Sequence, residues 1–490
     1  MIKYRFCVFS FAALLASFAL TGCKVGPTYK TPTAILAPGM PNTFKEAAPT
    51  GFMGWKVGEP SDAKLKGDWW TDFNDPQLNE LEPQVSTANQ TLAASEANFR
   101  SARTQINYQR SFQAPTIGTS PSPGAVRFSQ NQPYFNSALA NNGVGDLTLP
   151  FDLNYEVDLW GRIRREVAQA KANTEQASAD LENARLSLQA ELATDYFNLR
   201  SADAQETLLD STIKVYEQAL QLVQDRYNGG VAPLSDVTQS QTQLNQARVQ
   251  RTDLEEQRAQ YEHAIAVLIG KPPSALTIAP TSVRLKAPDL PNVPGVLPAT
   301  LLERRPDIAS QERRMAAANE SIGIAQAAYY PTFSLSLQGG FTGTSILNWF
   351  TWPSRFFAVG PAFDQTLFDH GRRASVKANA IAQYDETVAD YRQTTLTAFQ
   401  QVEDNLAALR VLGNEAEQQR ATTASAQQSV DLFNIRYQGG VDTYLQVVTY
   451  QTALLNNQRN EIVLMQRRLD ATVLLIKALG GGWDRSQLHT

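Results

Sequence analysis

Arg226-Tyr227-Asn228-Gly229-Gly230-Val231 and Arg436-Tyr437-Gln438-Gly439-Gly440-Val441 are near copies of one another, 210 residues apart in a chain of 490. Glycine reaches positive φ without strain, so a Gly-Gly pair between long stretches free of Gly and Pro reads as the sharp turn of a helical hairpin. Working outward from the first turn, Arg162 through Tyr227 holds neither Gly nor Pro. As one helix those residues span roughly 100 Å at ~1.5 Å per residue, far beyond an ordinary globular helix. After the turn, a second helix is predicted from about Leu234 to Ile269, stopped by Gly270-Lys271-Pro272-Pro273. The second turn is placed in the same way, and its following helix, predicted over Val441 to Leu479, carries Val441, Val448, Leu455, Ile462, Leu469 and Ile476 at strict seven-residue spacing. A sustained heptad calls for coiled-coil packing against a neighbouring helix. That neighbour is the preceding helix, the matching helix of the other repeat or another subunit; the pattern does not choose among them.

The copies extend beyond the turns. Trp160-Gly161-Arg162 and His370-Gly371-Arg372 share the same 210-residue offset. Ahead of each junction lie segments of alternating character. Leu147, Leu149, Phe151, Leu153, Tyr155, Val157 and Leu159 alternate with Thr148, Pro150, Asp152, Asn154, Glu156 and Asp158. In the second half, Phe333, Leu335, Leu337 and Phe341 alternate with small polar residues, and Phe357, Val359, Phe363 and Leu367 alternate with Ala358, Gly360, Asp364 and Thr366. Period 2 is a strand signature. Strands are therefore predicted near 146–160, 331–343 and 356–368, with a poorer one near 115–130 that contains Pro121, Pro123 and Gly124. Helices are predicted over Gln84–Ala114 and Asp307–Tyr330, each ended by a proline, and seven prolines between 272 and 298 mark a linker between the halves.

The N-terminus reads as an export signal. Lys3 and Arg5 precede an apolar run from Phe6 to Leu20, too short to span a bilayer comfortably. It ends in Leu20-Thr21-Gly22-Cys23, a lipobox pattern in which the thiol of Cys23 is acylated and its amine becomes the new N-terminus. Cleavage removes Cys7 and acylation occupies Cys23, so the mature chain has no disulfide. Removing Lys3 and Arg5 also takes the net charge from −5 to −7. Lys24, rather than Asp, follows the cysteine, and the resemblance to bacterial lipoproteins implies that such a residue favours sorting to the outer membrane. Residues 24 to about 75 are rich in Pro, Gly and Thr and read as a surface tether, with Asp68-Trp69-Trp70-Thr71-Asp72-Phe73 as its packing anchor.

An exported chain with strands near the length of a membrane-spanning strand, and aromatics at their ends, points to a barrel. The odd positions face lipid, and Asp152, Asn154, Glu156, Asp158 and Asp364 face a wet interior. Four strands are too few for a closed barrel, and an open edge cannot sit in lipid, so closure needs several copies. Two chains give eight strands with a filled interior; three give twelve and leave room for a pore. No catalytic constellation, paired histidines or phosphate loop is present, and nothing basic suggests nucleic acid.

Together, Leu20-Thr21-Gly22-Cys23, Val25-Gly26-Pro27, Tyr29, Asp158-Leu159-Trp160-Gly161-Arg162, Leu302-Glu303-Arg304-Arg305-Pro306-Asp307-Ile308 and the two Gly-Gly turns resemble the TolC/OprM (NodT-type) outer-membrane efflux lipoproteins along essentially the whole mature chain. The resemblance implies a mainly α, duplicated fold in which a homotrimer closes a twelve-stranded β-barrel on a long α-helical coiled-coil periplasmic tunnel. It implies an exit duct that passively conducts drugs or other small molecules, docked to a periplasmic membrane-fusion adaptor and an inner-membrane RND-type transporter. It implies no cofactor beyond the lipid on Cys23. The parts expected are a signal peptide (1–22), a lipidated tether (23–83), a first repeat (84–290), a second repeat (291–479) and a tail (480–490). By position, the resemblance puts a periplasmic gate at Tyr444, Leu445, Gln446 and Thr449, an inter-hairpin lock at Asp236 and Tyr437, and adaptor-docking tips at Gly229, Gly230, Gly439 and Gly440. Relatives often carry aspartate rings at the gate, whereas Gln446 and Thr449 are neutral here. Two rival readings are a duct for type I secretion or heavy-metal export, and a non-conducting lipid-anchored coiled-coil scaffold. The Leu302–Ile308 signature also has a plain structural reading, as the start of a helix with proline in its first turn.

Overall fold

The computed structural model describes residues 24–35, 39, 44–46, 67–127, 129, 131, 143–281, 301–483 and 485–488; Cys23 and most of the inter-repeat linker lie outside them. In the first repeat, α1 (Pro76–Ala88), α2 (Gln90–Ser111), β1 (Thr116–Thr119), β2 (Ser122–Val126) and β3 (Val144–Glu156) lead into α3 (Arg162–Asn228) and α4 (Leu234–Leu268). In the second, α5 (Pro306–Ala327), β4 (Thr332–Gly343) and β5 (Arg355–Asp364) lead into α6 (Arg372–Gln438) and α7 (Tyr444–Ala478). The duplication is exact in its hairpins: α3 and α6 are both 67 residues, α4 and α7 both 35, and each starts and ends 210 residues after its counterpart.

Both Gly-Gly turns close by the same hydrogen bonds. Val231 N–H donates to the Arg226 carbonyl and Gly230 N–H to that of Tyr227, both at 2.9 Å; Val441 and Gly440 repeat this on Arg436 and Tyr437 at 2.9 and 3.0 Å. This is the Schellman closure, which satisfies carbonyls that the helix end leaves bare. Only the second glycine of each pair needs the left-handed region, with φ of +73° at Gly230 and +75° at Gly440; Gly229 and Gly439 are at −77° and −74°. Val441 is therefore consumed by the turn, and α7 starts at Tyr444 rather than at Val441.

The strands form one antiparallel sheet in the order β1–β3–β4–β5, with β2 pairing β3 beyond β1. The expected 115–130 strand is thus split in two around Pro121, the two pieces sharing one sheet position. Register carries one chemistry straight across each face. Ile117, Leu153, Leu337 and Val359 lie in line, as do Tyr155, Leu335 and Pro361, while Thr116, Asn154, Ser336 and Gly360 line up on the reverse. The apolar face is open: Ile117 is 73% and Phe357 82% exposed.

Other boundaries depart from expectation for local reasons. Gln84–Ala114 is two helices, not one. Asn89 adopts an extended backbone, caps α2 through its Oδ1 to Leu92 N–H at 3.0 Å, and donates its Nδ2 to the Leu268 carbonyl that ends α4, at 2.8 Å. The second repeat makes the equivalent join with Arg305, whose Nη1 donates to the Ala478 carbonyl at 2.9 Å while its side chain pairs with Asp307. That gives the Arg304-Arg305-Pro306-Asp307 stretch a structural role, tying the start of α5 to the end of α7. β3 ends at Glu156 and β5 at Asp364, short of residues 160 and 368.

Trp69 and Trp70 are buried in the largest core cluster, with Leu78 and Val85 of α1, Leu192 and Tyr196 of α3, Ile265 of α4 and Val473 of α7. This cluster ties the N-terminal helix α1 to the long helix α3 and to the ends of α4 and α7. Above it α2 and α5 flank α3, and α5 also packs on α6; below it each long helix packs on its own hairpin partner, with α3 and α7 joining the two hairpins.

Candidate gate and pore wall

The two ends of the long helices carry the functional geometry. At the sheet end, the polar face carries Asp152, Asn154 and Glu156 on β3 and Asp364 on β5. Asp152 accepts a hydrogen bond from Gln338 Nε2 at 2.7 Å across the sheet. Glu156 is engaged at the strand–helix junction, where Arg162 grips both its oxygens at 3.1 and 2.7 Å and also pairs with Glu166. Asp158, expected to line the same face, lies beyond the strand. The chain has already left the strand there, and its carboxylate accepts from the N–H groups of Ile163 and Arg164 at 3.2 and 2.9 Å, satisfying the bare first turn of α3.

The tether is fastened at the same junction. Val25 N–H donates to the Trp160 carbonyl at 3.1 Å, and buried Arg165 holds the carbonyls of Val25 and Pro27 at 2.6 and 3.2 Å while pairing with Glu320 at 2.8 Å. Tyr29 continues the line, donating to Glu312 at 2.7 Å.

At the opposite end, the two hairpins meet through a small core of Val223, Tyr437, Tyr444 and Val447, flanked by Val237 and Val448. The Tyr437 and Tyr444 rings lie 5.2 Å apart. Among the described residues, three hydrogen bonds and one cation–π contact cross this join. Tyr437 Oη donates to Asp236 Oδ2 at 3.5 Å, the outer limit for such a bond. Tyr444 Oη donates to Ser240 Oγ at 3.0 Å. The Arg226 guanidinium sits over the Tyr437 ring, 4.8 Å from its centre, and its Nη1 donates to the Gln438 carbonyl at 3.4 Å. Burial, together with the Asp236 carboxylate, pushes the Tyr437 hydroxyl above the ordinary phenol range; burial does the same to Tyr444.

Asp236 and Tyr437 are thus brought together as expected. Tyr444 is placed differently from the gate position expected for it: at 2% exposure it is buried between the hairpins, because as the first residue of α7 it turns toward Ser240. Leu445, Gln446 and Thr449 remain exposed on α7, with Thr449 Oγ1 donating back to the Leu445 carbonyl at 2.8 Å. Gly229, Gly230, Gly439 and Gly440 cap the very ends of the hairpins. Sequence reasoning missed Ser240 and Arg226 as members of the join. For Arg226 a signal existed: its counterpart Arg436 binds Asp442 within its own turn, while the position equivalent to Asp442 in the first turn is Ala232.

The chain matches the family model described as outer membrane efflux protein over residues 83–271 and 297–481, one block per repeat. It is 32% identical over 479 residues to the toluene efflux pump outer membrane protein TtgF of Pseudomonas putida, covering 97% of each. It is 30% identical over 488 residues to outer membrane protein OprJ of Pseudomonas aeruginosa, covering 98% of this chain and 97% of that one. Among solved structures, the outer-membrane channel OprN superposes with a TM-score of 0.83 at 27% identity, over 94% of this chain and all of that one. A sheet with one lipid-compatible face, joined to duplicated tunnel helices and matched from end to end by such proteins, leads to one conclusion: the chain belongs to the outer membrane efflux protein family, whose TolC-like channel fold it adopts.

Proposed function

We propose that three copies of this chain close the sheet into a twelve-stranded barrel and the helices into a tunnel, forming the exit duct of a tripartite efflux pump. The observation that carries this is the sheet itself. It fills four strand positions, is apolar on one face and polar on the other, and leaves β5 and β1/β2 as unpaired edges among the described residues. Unpaired backbone groups in hydrocarbon cost several kcal/mol each, so the edges must meet other copies. Asp152, Asn154, Asp364 and the junction residue Glu156 then line a wet passage. The duct works passively; its energy comes from an inner-membrane transporter of the RND type, reached through a periplasmic adaptor that docks on the Gly229-Gly230 and Gly439-Gly440 tips. The cargo is drugs or organic solvents, in keeping with a relative named for a toluene efflux pump.

The closed state is held by the join between hairpins, and the constriction is formed by Leu445, Gln446 and Thr449 on the exposed face of α7. Being neutral, this constriction binds divalent cations weakly. Cys23 carries the lipid anchor; the residues that follow it are fastened at the strand–helix junction, Lys24 by its ion pair with Glu320 and Val25 by its bonds to Trp160 and Arg165.

Reconstitution of the purified protein in planar bilayers tests this reading. A heat-sensitive trimer of low conductance is expected, opening severalfold when Tyr437 and Tyr444 are both replaced by Ala, and closing little when divalent cations are added on the tip side. A protein that stays non-conducting after that double substitution would instead be a lipid-anchored scaffold.

A further inference from the structure

The connection between β4 and β5, residues 344–354, lies at the end of the sheet away from the helices. It is a built loop. Asn348 N–H donates to the Ser345 carbonyl at 3.1 Å, Ser354 N–H to Thr351 at 3.0 Å, and the Asn348 carbonyl accepts from Thr351 Oγ1 and Ser354 Oγ at 2.8 and 2.6 Å. Yet this ordered loop presents Ile346, Leu347, Phe350 and Trp352 outward, with Leu347 86% and Trp352 73% exposed. Such a patch on a fixed scaffold marks an interaction site.

Its direction follows from the register. Phe341 is opposite Arg355 and also opposite Leu149, so both Phe341 and Arg355 belong to the apolar, lipid-facing side. The loop folds onto that side, with the Phe350 ring 5.9 Å from the Phe341 ring and Trp349 Nε1 donating to the Phe341 carbonyl at 3.3 Å. The patch therefore continues the barrel's outer wall rather than capping the pore.

Arg355 is the anomaly within it, a cation at the rim of a face otherwise made of Phe357, Val359, Pro361 and Phe363. It is exposed, its guanidinium lies 3.9 Å from the centre of the Trp352 ring, and its Nη1 donates to the Trp352 carbonyl at 2.7 Å. Stacking and that one bond fix the plane of the fork, and its other N–H groups make no hydrogen bond among the described residues. A flat, pre-oriented guanidinium suits a phosphate, which takes two parallel N–H bonds. Tryptophan at the membrane–water boundary likewise places its ring at headgroup depth.

We propose that Arg355, Trp352, Ile346 and Leu347 form a binding site for a phosphorylated lipid of the outer leaflet. Arg355 holds the headgroup phosphate, Trp352 orients Arg355, and Ile346 and Leu347 lie among the acyl chains. Three sites ring the trimer, each at the outer rim between β4 and β5.

The test is native mass spectrometry of the full-length trimer released from detergent after incubation with bis-phosphorylated lipid A, dephosphorylated lipid A, a zwitterionic phospholipid or inorganic phosphate. Bis-phosphorylated lipid A is expected to be retained over its dephosphorylated form. Arg355→Gln is expected to weaken that retention about tenfold, the range of one charge-assisted hydrogen-bonded contact, and Arg355→Lys to restore part of it. Leu347→Ser lowers retention of every lipid without changing phosphate preference. Equal retention of the two lipid A forms by the wild-type trimer, or an Arg355→Gln trimer that keeps the preference, overturns the proposal. So does displacement of lipid A by inorganic phosphate at comparable concentration, which would indicate a free-anion site. The wild-type comparison decides the matter even where a variant fails to assemble.

Discussion

The two hairpin tips share length, turn and hydrogen-bond closure, but their arginines do different work. Arg436 is satisfied inside its own turn by Asp442. Arg226 has Ala232 where Asp442 would be, and it crosses to the other hairpin to cover Tyr437. The positions one helical turn further on also diverge: Asp236 in the first hairpin reaches Tyr437, whereas its equivalent, Gln446, stays exposed. A duplicated scaffold thus supplies two equal rods, and a few substitutions make one the holder and the other the held. The first hairpin contributes Arg226, Asp236 and Ser240; the second contributes Tyr437 and Tyr444.

Removing Tyr444 should break this asymmetry most severely. Tyr444→Ala deletes a buried ring and the bond to Ser240, a change of about 3–5 kcal/mol by analogy with other buried aromatics, and single-channel conductance should rise severalfold. Arg226→Ala comes next. It removes a partly desolvated cation–π contact and a hydrogen bond, together about 1–2 kcal/mol, and more frequent openings should be visible in the same recordings. Asp236→Ala should act more weakly, at about 0.5–1 kcal/mol, because its contact with Tyr437 is long. Ala232→Asp is the subtlest change. It gives Arg226 the local partner that Arg436 already has and draws it off Tyr437 without deleting any residue of the join, so a modest rise in open probability is expected, reversed by high salt as the new surface pair is screened.

The join should also respond to alkali. Within the join the Tyr437 hydroxyl has a raised pKa, because a phenolate there would be buried and would lie beside Asp236; where the join holds the proposed closed state, that shift couples closure to pH. A raised acid pKa means that the closed state holds its proton more tightly than the open one. Closure is therefore fully supported below the ordinary phenol value of about 10 and is lost as pH rises through the raised value. Tyr437→Phe should flatten that dependence, which conductance against pH would reveal.

Much of this was legible in the residues. The 210-residue offset, the unbroken long helices and the alternation of Leu147 to Tyr155 each rest on a local rule, and each corresponds to an element with nearly the expected bounds. The misses have physical causes. Alternation ran on through Val157 and Leu159, so Asp158 read as one more pore residue; the strand had ended, and the bare N–H groups of α3 claimed its carboxylate. The heptad includes Val441, but the Schellman closure needs that residue, which moves the helix start to Tyr444. Asn89 carries the side chain of a helix cap, yet a stretch without Gly or Pro hid the break it makes. The facing of Tyr444 depends on how two hairpins abut, and no local pattern encodes that. Ser240 joins the contact for the same reason, whereas Arg226 left a readable sign, since Ala232 gives it no partner of the kind Asp442 gives Arg436.

The most direct test compares single-channel conductance of Tyr437→Ala with that of the mirror substitution Tyr227→Ala. Tyr227 occupies the equivalent place in the first turn but is exposed. If the hairpins are unequal as described, Tyr437→Ala opens the channel and Tyr227→Ala leaves its conductance at the wild-type level. Equal opening by both, or opening by Tyr227→Ala alone, would contradict an asymmetric join.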